Sequence, residues 1–347
     1  MAVPRQDRKE DMKEAMLYAA LEEGRVQCLL CHHRCTLSAG SRGICGVREN
    51  RDGRLYSLVF GRAISLNVDP IEKKPIFHLF PGSRSFSVAA VGCNFHCLQC
   101  QNHEISQMPA DRKRIEGSSV SPSAIVSLAK ESGCRSIAYT YTEPTIYFEY
   151  AFETSVIARQ EGVKNIFVTN GYMTEDALNT IRPYLDAANV DLKSFQKKFY
   201  KEVCGARLEP VLENLKIMRQ MGIWVEVTTL VIPTLNDSDK ELEEIAQFIV
   251  SLGPEVPWHI SAFHPTYQMT DLPRTPASRL HRAREIGIKA GLRYVYCGNI
   301  PGEEGEDTCC PRCGELVIER VGFRVVKNEA KKGECSYCHS TIDGIWD

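Results

Sequence analysis

Cysteines stand at positions 93, 97 and 100 in the stretch Cys93-Asn94-Phe95-His96-Cys97-Leu98-Gln99-Cys100, directly behind the alternating run 85–91. A C-x3-C-x2-C spacing lets a short loop fold round a [4Fe-4S] cube so that each thiolate meets a different iron. Such cubes normally take four cysteines, so a set of three leaves one iron open to bind and activate a further molecule. A structural zinc loop is the competing use of these residues, and it calls for a fourth ligand nearby.

Two more cysteine groups flank this one. Cys28, Cys31, Cys35 and Cys45 share a short segment with Gly40, Gly43 and Gly46. Four sulfurs so placed are expected to close around one metal, either zinc or a second iron–sulfur cluster, and a loop folded without metal is the alternative. His32 and His33 could substitute, but adjacent side chains do not readily point at one ion, so the cysteines are the better ligands. Near the other end, Cys310-Pro-Arg-Cys313 and Cys335-Ser-Tyr-Cys338 form two C-x2-C knuckles. That is the pattern of a zinc ribbon with a structural or docking role, its knuckles closed by a hairpin over 316–326, with rubredoxin-type iron as the competing occupant. Cys310 rather than Cys309 keeps the usual knuckle spacing, and His339 is an outside candidate.

The remaining composition frames these sites. Of the 15 cysteines, only Cys134, Cys204, Cys297 and Cys309 fall outside the three groups. Clustered cysteines in a chain with no secretory signal point to metal binding or redox chemistry rather than disulfides. The amino terminus is polar and charged and no apolar run approaches the length of a membrane span, so the chain reads as cytoplasmic. Hydrophobic residues make up 43% and charged residues 25%, ordinary values for a globular protein. A formal charge of −2 gives no electrostatic reason to expect nucleic acid or a membrane as partner.

The elements that must position these residues form a repeating pattern. A helix is expected over 11–23, ended by Gly24, and a short strand over 54–60. Asp69-Pro-Ile-Glu-Lys-Lys-Pro75 is expected to be an extended, solvated charged loop fixed by its prolines. From Ser85 onward, strands over 85–91, 136–141, 165–169, 188–192, 224–231 and 258–263 alternate with helices over 121–132, 145–161, 174–183, 209–221, 238–250 and 276–290. Ser121, Thr174 and Ser238 are the expected N-caps, the last in capping-box register with Glu241. The fold class is therefore α/β, a partial (β/α)6 TIM-like barrel with a Cys-rich N-terminal segment over 1–84, the barrel over 85–300 and the ribbon over 301–347. In such barrels chemistry sits where strands end. Here strand ends carry the cysteine loop, Tyr141-Thr142-Glu143-Pro144, Thr169-Asn170-Gly171, Asp191-Leu192-Lys193, Thr228 beyond Glu226, and Phe263-His264.

These motifs together resemble the radical S-adenosylmethionine (SAM) superfamily. Val91-Gly92-Cys93-Asn94-Phe95 with Cys97, Cys100, Gln101 and Asn102 is similar to the branch that includes pyruvate formate-lyase activating enzymes. The first cysteine group, the 69–75 stretch and the ribbon narrow the resemblance to the AmmeMemoRadiSam system radical SAM enzyme, over residues 12–347. The resemblance implies a [4Fe-4S] cluster on Cys93, Cys97 and Cys100 with SAM on the open iron. It implies that Thr142 and Glu143 stand where the family's Gly-Gly-Glu-Pro segment meets the SAM amino group, with the glycines replaced here. Asp191 and Lys193 match an Asp-x-Lys pair at the SAM amino acid portion, and Asn170 and His264 match positions near ribose and adenine. Gln99 departs from the family, whose residue before the third cysteine is usually aromatic; a hydrogen bond could replace that contact.

The expected activity is that of a radical SAM oxidoreductase or activase. Reductive cleavage of SAM would give a 5′-deoxyadenosyl radical that takes hydrogen from a protein glycine or a small molecule. The expected partners are an electron donor such as flavodoxin or ferredoxin and a protein substrate or the AmmeMemoRadiSam system partners. The alternative is a zinc-ribbon or iron–sulfur adaptor or electron carrier with a non-catalytic barrel. Cys204 would be a thiyl or hydrogen-donor residue if it faced the barrel mouth, and otherwise a buried small hydrophobe.

Overall fold

Runs in which apolar residues alternate with small polar ones build the central sheet. The computed structural model describes residues 12–300 and 305–346. Its main sheet contains β1 (Ser65–Pro70), β2 (Arg84–Ala89), β3 (Ser136–Tyr139), β4 (Lys164–Thr169), β5 (Ala187–Asp191), β6 (Trp224–Val231), β7 (Trp258–Ala262) and β8 (Val295–Gly298), paired in that order. Strands β2 to β8 run parallel, and β1 pairs antiparallel with β2. The sheet stays open, with β1 and β8 as its edges. All the expected strand–helix repeats are present. The additions are β8 and the antiparallel edge β1, which lies ahead of residue 85.

Six helices form the crossovers: α1 (Pro122–Glu131), α2 (Phe148–Gln160), α3 (Glu175–Ile181), α4 (Leu208–Gln220), α5 (Asp239–Leu252) and α6 (Ala277–Ala290). Their apolar faces, including Ile125, Leu178, Leu215, Ile245 and Leu280, bury against the sheet in one core with Ile137, Phe167, Val225 and Ile260. Each such side chain contributes about 1.5–3 kcal/mol when fully buried. Ser121, Thr174 and Ser238 accept hydrogen bonds from the backbone N–H groups of Ala124, Ala177 and Glu241 at 3.2, 3.4 and 3.3 Å. The capping box is only half formed, because the Glu241 carboxylate turns away to accept from Ser194, Phe195 N–H and Gln196.

The other face of the sheet is covered by the chain's own 69–80 segment through both apolar and polar contacts. Ile71, Ile76, Leu79 and Phe80 pack on Ala138, Ile166 and Ala187. Asn189 Nδ2 donates to Pro75 O at 2.7 Å, and the Glu226 carboxylate accepts from Phe77 N–H at 3.0 Å and His78 N–H at 2.9 Å. The expectation of a solvated loop over 69–75 is thereby corrected: Glu72 and Lys74 are each only 1% exposed. Their charges are matched inside the fold, Lys74 by Asp69 at 2.6 Å and Glu72 by Arg320 at 3.7 Å, with Gly82 N–H also donating to Glu72 at 2.8 Å.

A second correction concerns the helix expected over 11–23, of which residue 11 lies outside the described residues. Lys13–Glu14 pairs with Tyr56 and Ser57, Tyr18–Ala20 pairs with Val26–Cys28, and Glu22–Gly24 is a single 3-10 turn. Helical spacing loses here because Leu17 sits at φ 55° and the flanking residues find strand partners across a tight turn. Two small antiparallel sheets result, and Arg48, buried between them, bonds Glu149 of α2 at 2.9 Å. The expected strand near 54–60 is present as Arg54–Ser57. At the other end, Leu316–Val321 and Arg324–Asn328 form the expected hairpin. Among the described residues no helix is long and apolar enough to cross a membrane.

Candidate functional site

The loop after β2 is held so that its sulfurs face inward. Gly92 has φ +106°, and a Cβ there would lie 2.9 Å from Val47 Cγ1 and 3.0 Å from Cys45 O, so glycine is required before Cys93. His96 N–H and Leu98 N–H donate to Cys204 O and Val203 O, both at 3.0 Å. The Gln107 amide bonds His96 Nδ1 at 2.7 Å and Phe95 O at 3.0 Å. Around the thiols themselves, Phe95 N–H donates to Cys93 Sγ at 3.3 Å and Ser106 Oγ stands 3.2 Å from Cys100 Sγ.

Cys93, Cys97 and Cys100 line a cavity of ≈ 470 Å³ at the C-terminal edge of the parallel strands, and Thr142, Glu143, Asn170, Asp191 and Lys193 line it with them. Its size suits a nucleoside-sized ligand. His264, expected beside them, is not among its lining residues. Its Nε2 stands 3.3 Å from the carbonyl of Asn299, which does line the cavity. Cys204 is fully buried and also lies off the cavity wall, so it does not face the mouth as a hydrogen donor would. Instead, the Cys204 thiol beside Cys97 holds the Cys97 thiol below its ordinary value.

Burial, followed by the field of Glu143, pushes the Cys93 thiol well above its ordinary value. Lys193 Nζ lies 2.8 Å from Asp191 Oδ2. Burial opposes its charge, but Asp191 and Cys97 outweigh that and keep it protonated. Glu143 braces the ends of β3 and β4: Oε1 accepts from Thr145 N–H at 3.0 Å and Thr169 Oγ1 at 2.7 Å, and Oε2 from Asn170 N–H at 2.8 Å. Burial nevertheless raises its pKa. Tyr141 adopts φ 64°, the left-handed backbone that the glycine of the resembling motif would take without strain. Asn102 Nδ2 holds its carbonyl at 2.8 Å, and its hydroxyl donates to Asp69. Lys73, Lys74 and Ser87 also donate to Asp69. Burial pushes the Asp69 carboxyl up, but those donors prevail and hold it well below the usual range.

Sequence reasoning missed the deeper wall of the cavity, which includes Thr140, His259, Ser261, Tyr296 and Glu306. His259 Nε2 bonds Glu226 at 2.6 Å, and burial raises the Glu306 carboxyl to about 7. The signal was available: His259 and Ser261 alternate with Trp258, Ile260 and Ala262, which marks one polar face of a strand.

In the terminal unit, Cys310 Sγ and Cys338 Sγ lie 3.6 Å apart and Cys313 Sγ and Cys335 Sγ 3.8 Å. These match the edges of about 3.8 Å that metal–sulfur bonds of about 2.3 Å give a tetrahedron. Among the described residues this tetrad is the only group of three or more His, Cys, Asp or Glu side chains whose ligand atoms all lie within 4.8 Å of one another. Cys93, Cys97 and Cys100 do not form such a set. Cys309 is exposed and stands outside the tetrad, and His339 bonds Glu334.

The model of the radical SAM superfamily matches residues 87–249. An uncharacterized protein of Methanocaldococcus jannaschii is 46% identical over 335 residues, covering 96% of this chain and 99% of that one. The isethionate sulfite-lyase activating enzyme of Nitratidesulfovibrio vulgaris is 31% identical over 109 residues, 31% of this chain and 35% of that enzyme. Among solved structures, a radical SAM methyltransferase from Sphaerobacter thermophilus superposes with a TM-score of 0.50 at 16% identity, covering 69% of this chain and 71% of that one.

Proposed function

The chain belongs to the radical SAM superfamily, and on that premise we propose that it is an oxidoreductase of the activating-enzyme kind, with a [4Fe-4S] cluster on Cys93, Cys97 and Cys100 and SAM at the open iron. The observation that carries this reading is the convergence of those thiols, Asn170 and the Asp191–Lys193 pair on one cavity. Cluster and SAM, when bound, supply a one-electron cleavage that gives a 5′-deoxyadenosyl radical able to remove a hydrogen atom from a substrate.

The chain's own residues position that chemistry. Lys193, kept charged, is assigned to the SAM carboxylate and Asp191 to its ammonium, each by a charge-assisted bond. In the present structure the two bond each other, so binding exchanges one ion pair for two. Glu143 fixes the turn at Tyr141 and Thr142, against which the amino group is assigned. Asn170 is assigned to the ribose, and His264 acts on the adenine end through Asn299. Gln99 is 4% exposed, lines the cavity, and its Oε1 has no partner; it is assigned to the adenine amine.

The hydrogen donor is proposed to be a glycine of a partner polypeptide, in line with the activating enzymes among the relatives. A small polar molecule is the second reading, favoured by His259, Ser261 and Glu306 on the deeper wall. A soluble electron donor such as flavodoxin or ferredoxin is the proposed reductant, and zinc the proposed occupant of the ribbon tetrad. AmmeMemoRadiSam system proteins are the candidate partners. The test is anaerobic: iron-loaded protein, dithionite and SAM should yield 5′-deoxyadenosine, and Cys97→Ala should abolish both the catalytic cluster and the product. Loaded wild-type protein that forms none, with or without those partners, would favour the adaptor reading. A glycyl radical signal on an added partner would separate the two substrate classes.

A further inference from the structure

We infer that Cys28, Cys31, Cys35 and Cys45 hold a second [4Fe-4S] cluster, not zinc, set directly against the cysteine loop after β2. The four residues line one small cavity together with Leu30, Leu37, Ile44 and Ile146 and the polar side chains of Arg48 and Asn94. Their spacing argues against a single ion. The ribbon tetrad provides the standard within the same chain, with sulfurs 3.6 and 3.8 Å apart across two of its pairs. No three of the N-terminal sulfurs come within 4.8 Å of one another. Thiolates standing round a space, each for its own iron, have that wider spread. Gly43 lies against two of them: a Cβ there would stand 3.7 Å from Cys35 Sγ and 3.8 Å from Cys45 Sγ.

Two unpartnered donors give independent support. Arg48 Nε and Asn94 Nδ2 are buried and have no hydrogen-bond partner, and both residues line this cavity at 2% and 1% exposure. Buried donors are rarely left unsatisfied. Cysteinate and sulfide sulfurs would accept from both. The rest of Arg48 is already committed, to Glu149 at 2.9 Å and Met16 O at 2.7 Å, which fixes the guanidinium edge that faces the cysteines.

The same contacts place this site beside the first one. Asn94 follows Cys93 directly, and His33 Nε2 stands 2.7 Å from its carbonyl. Cys45 O abuts Gly92, and Thr145 and Ile146, just beyond Glu143, line the N-terminal cavity. Cys31 and Cys35 are partly exposed. A cluster here can therefore take one electron from a soluble one-electron carrier and pass it to the cluster at Cys93, returning to its starting state as the carrier is oxidised. This relay rests on the proposed radical chemistry, whereas the metal assignment does not.

The full chain, reconstituted without oxygen, is expected to hold about eight irons. The variant Cys93→Ala/Cys97→Ala/Cys100→Ala should keep about four irons and show a reduced-cluster paramagnetic signal with dithionite. Zinc in place of that iron, or no metal at the N-terminal site, would overturn the assignment. In Cys31→Ala/Cys35→Ala the other four irons should remain. Cleavage of SAM driven by dithionite should survive in that variant, while cleavage driven by reduced flavodoxin should fall at least about tenfold. Equal loss or equal retention with the two reductants would overturn the relay. Wild-type protein with both clusters and no SAM cleavage would count against the proposed function and leave the second cluster standing.

Discussion

At Gln99 a buried amide takes the place of the aromatic residue usual before the third cysteine in the resembling family. Its orphaned Oε1 carries a desolvation cost of about 1–3 kcal/mol that a ligand amine would offset. Gln99→Leu is accordingly expected to raise the KM for SAM about five- to tenfold while iron content stays unchanged. Steady-state 5′-deoxyadenosine formation over a range of SAM concentrations measures this, and an unchanged KM would mean that the amide serves only the loop. Residues of this kind differ in how far sequence exposes them. That Cys93, Cys97 and Cys100 would share one cavity with Asp191 and Lys193 was legible from cysteine spacing and from strand-end position. His259, Tyr296 and Glu306 were not, because each is one polar residue whose role depends on which face of a strand or which turn returns to the cavity. His264 stands just past β7 as expected, but its ring meets the carbonyl of Asn299 and does not line the cavity itself.

Among the elements, the 69–80 segment has the largest effect on the site, since it closes the inner face of the open sheet below the cavity. Glu226 is its anchor. The carboxylate accepts from Phe77 N–H, His78 N–H, Trp224 Nε1 at 3.0 Å and His259 Nε2 at 2.6 Å, and it is fully buried. Glu226→Ala leaves those donors unpaired, so it should cost about 3–5 kcal/mol of stability. Thermal unfolding would register the loss, and a melting temperature within a degree or two of wild type would show that the segment is held by its apolar contacts alone. The parallel strands and their helices were readable because each carries its own period and cap. The segment was not, since a run of Lys, Glu and Asp looks solvated until its partners on distant strands are known. The expected helix over 11–23 failed for a related reason: its strand partners, Val26–Cys28 and Arg54–Ser57, are non-local contacts that outweigh local spacing.

At the scale of the whole molecule, the ribbon acts as the outer support of that same segment. Arg320, on the ribbon hairpin, donates to Phe77 O at 3.0 Å, stacks 4.2 Å over the Phe77 ring and lies 3.7 Å from Glu72. The chain's last described strand-like contact pairs Leu79 with Ile345, and His78 Nδ1 stands 2.6 Å from Asp343 O. A metal bound by the Cys310 tetrad would therefore fix the ends of a hairpin against which residues of the cavity wall lean. Because the tetrad is separate from both other cysteine groups, it can be emptied without touching them. Cys313→Ser/Cys338→Ser should lose about one zinc per chain and keep its iron. Since metal binding at such sites is coupled to folding, the hairpin over 316–328 should become open to proteolysis in that variant and the melting temperature should fall. SAM cleavage should weaken as the 69–80 segment loosens. Wild-type melting and cleavage in a zinc-free variant would mean that packing around Arg320, Phe77 and Tyr296 suffices, and that the metal serves the ribbon's outward face instead.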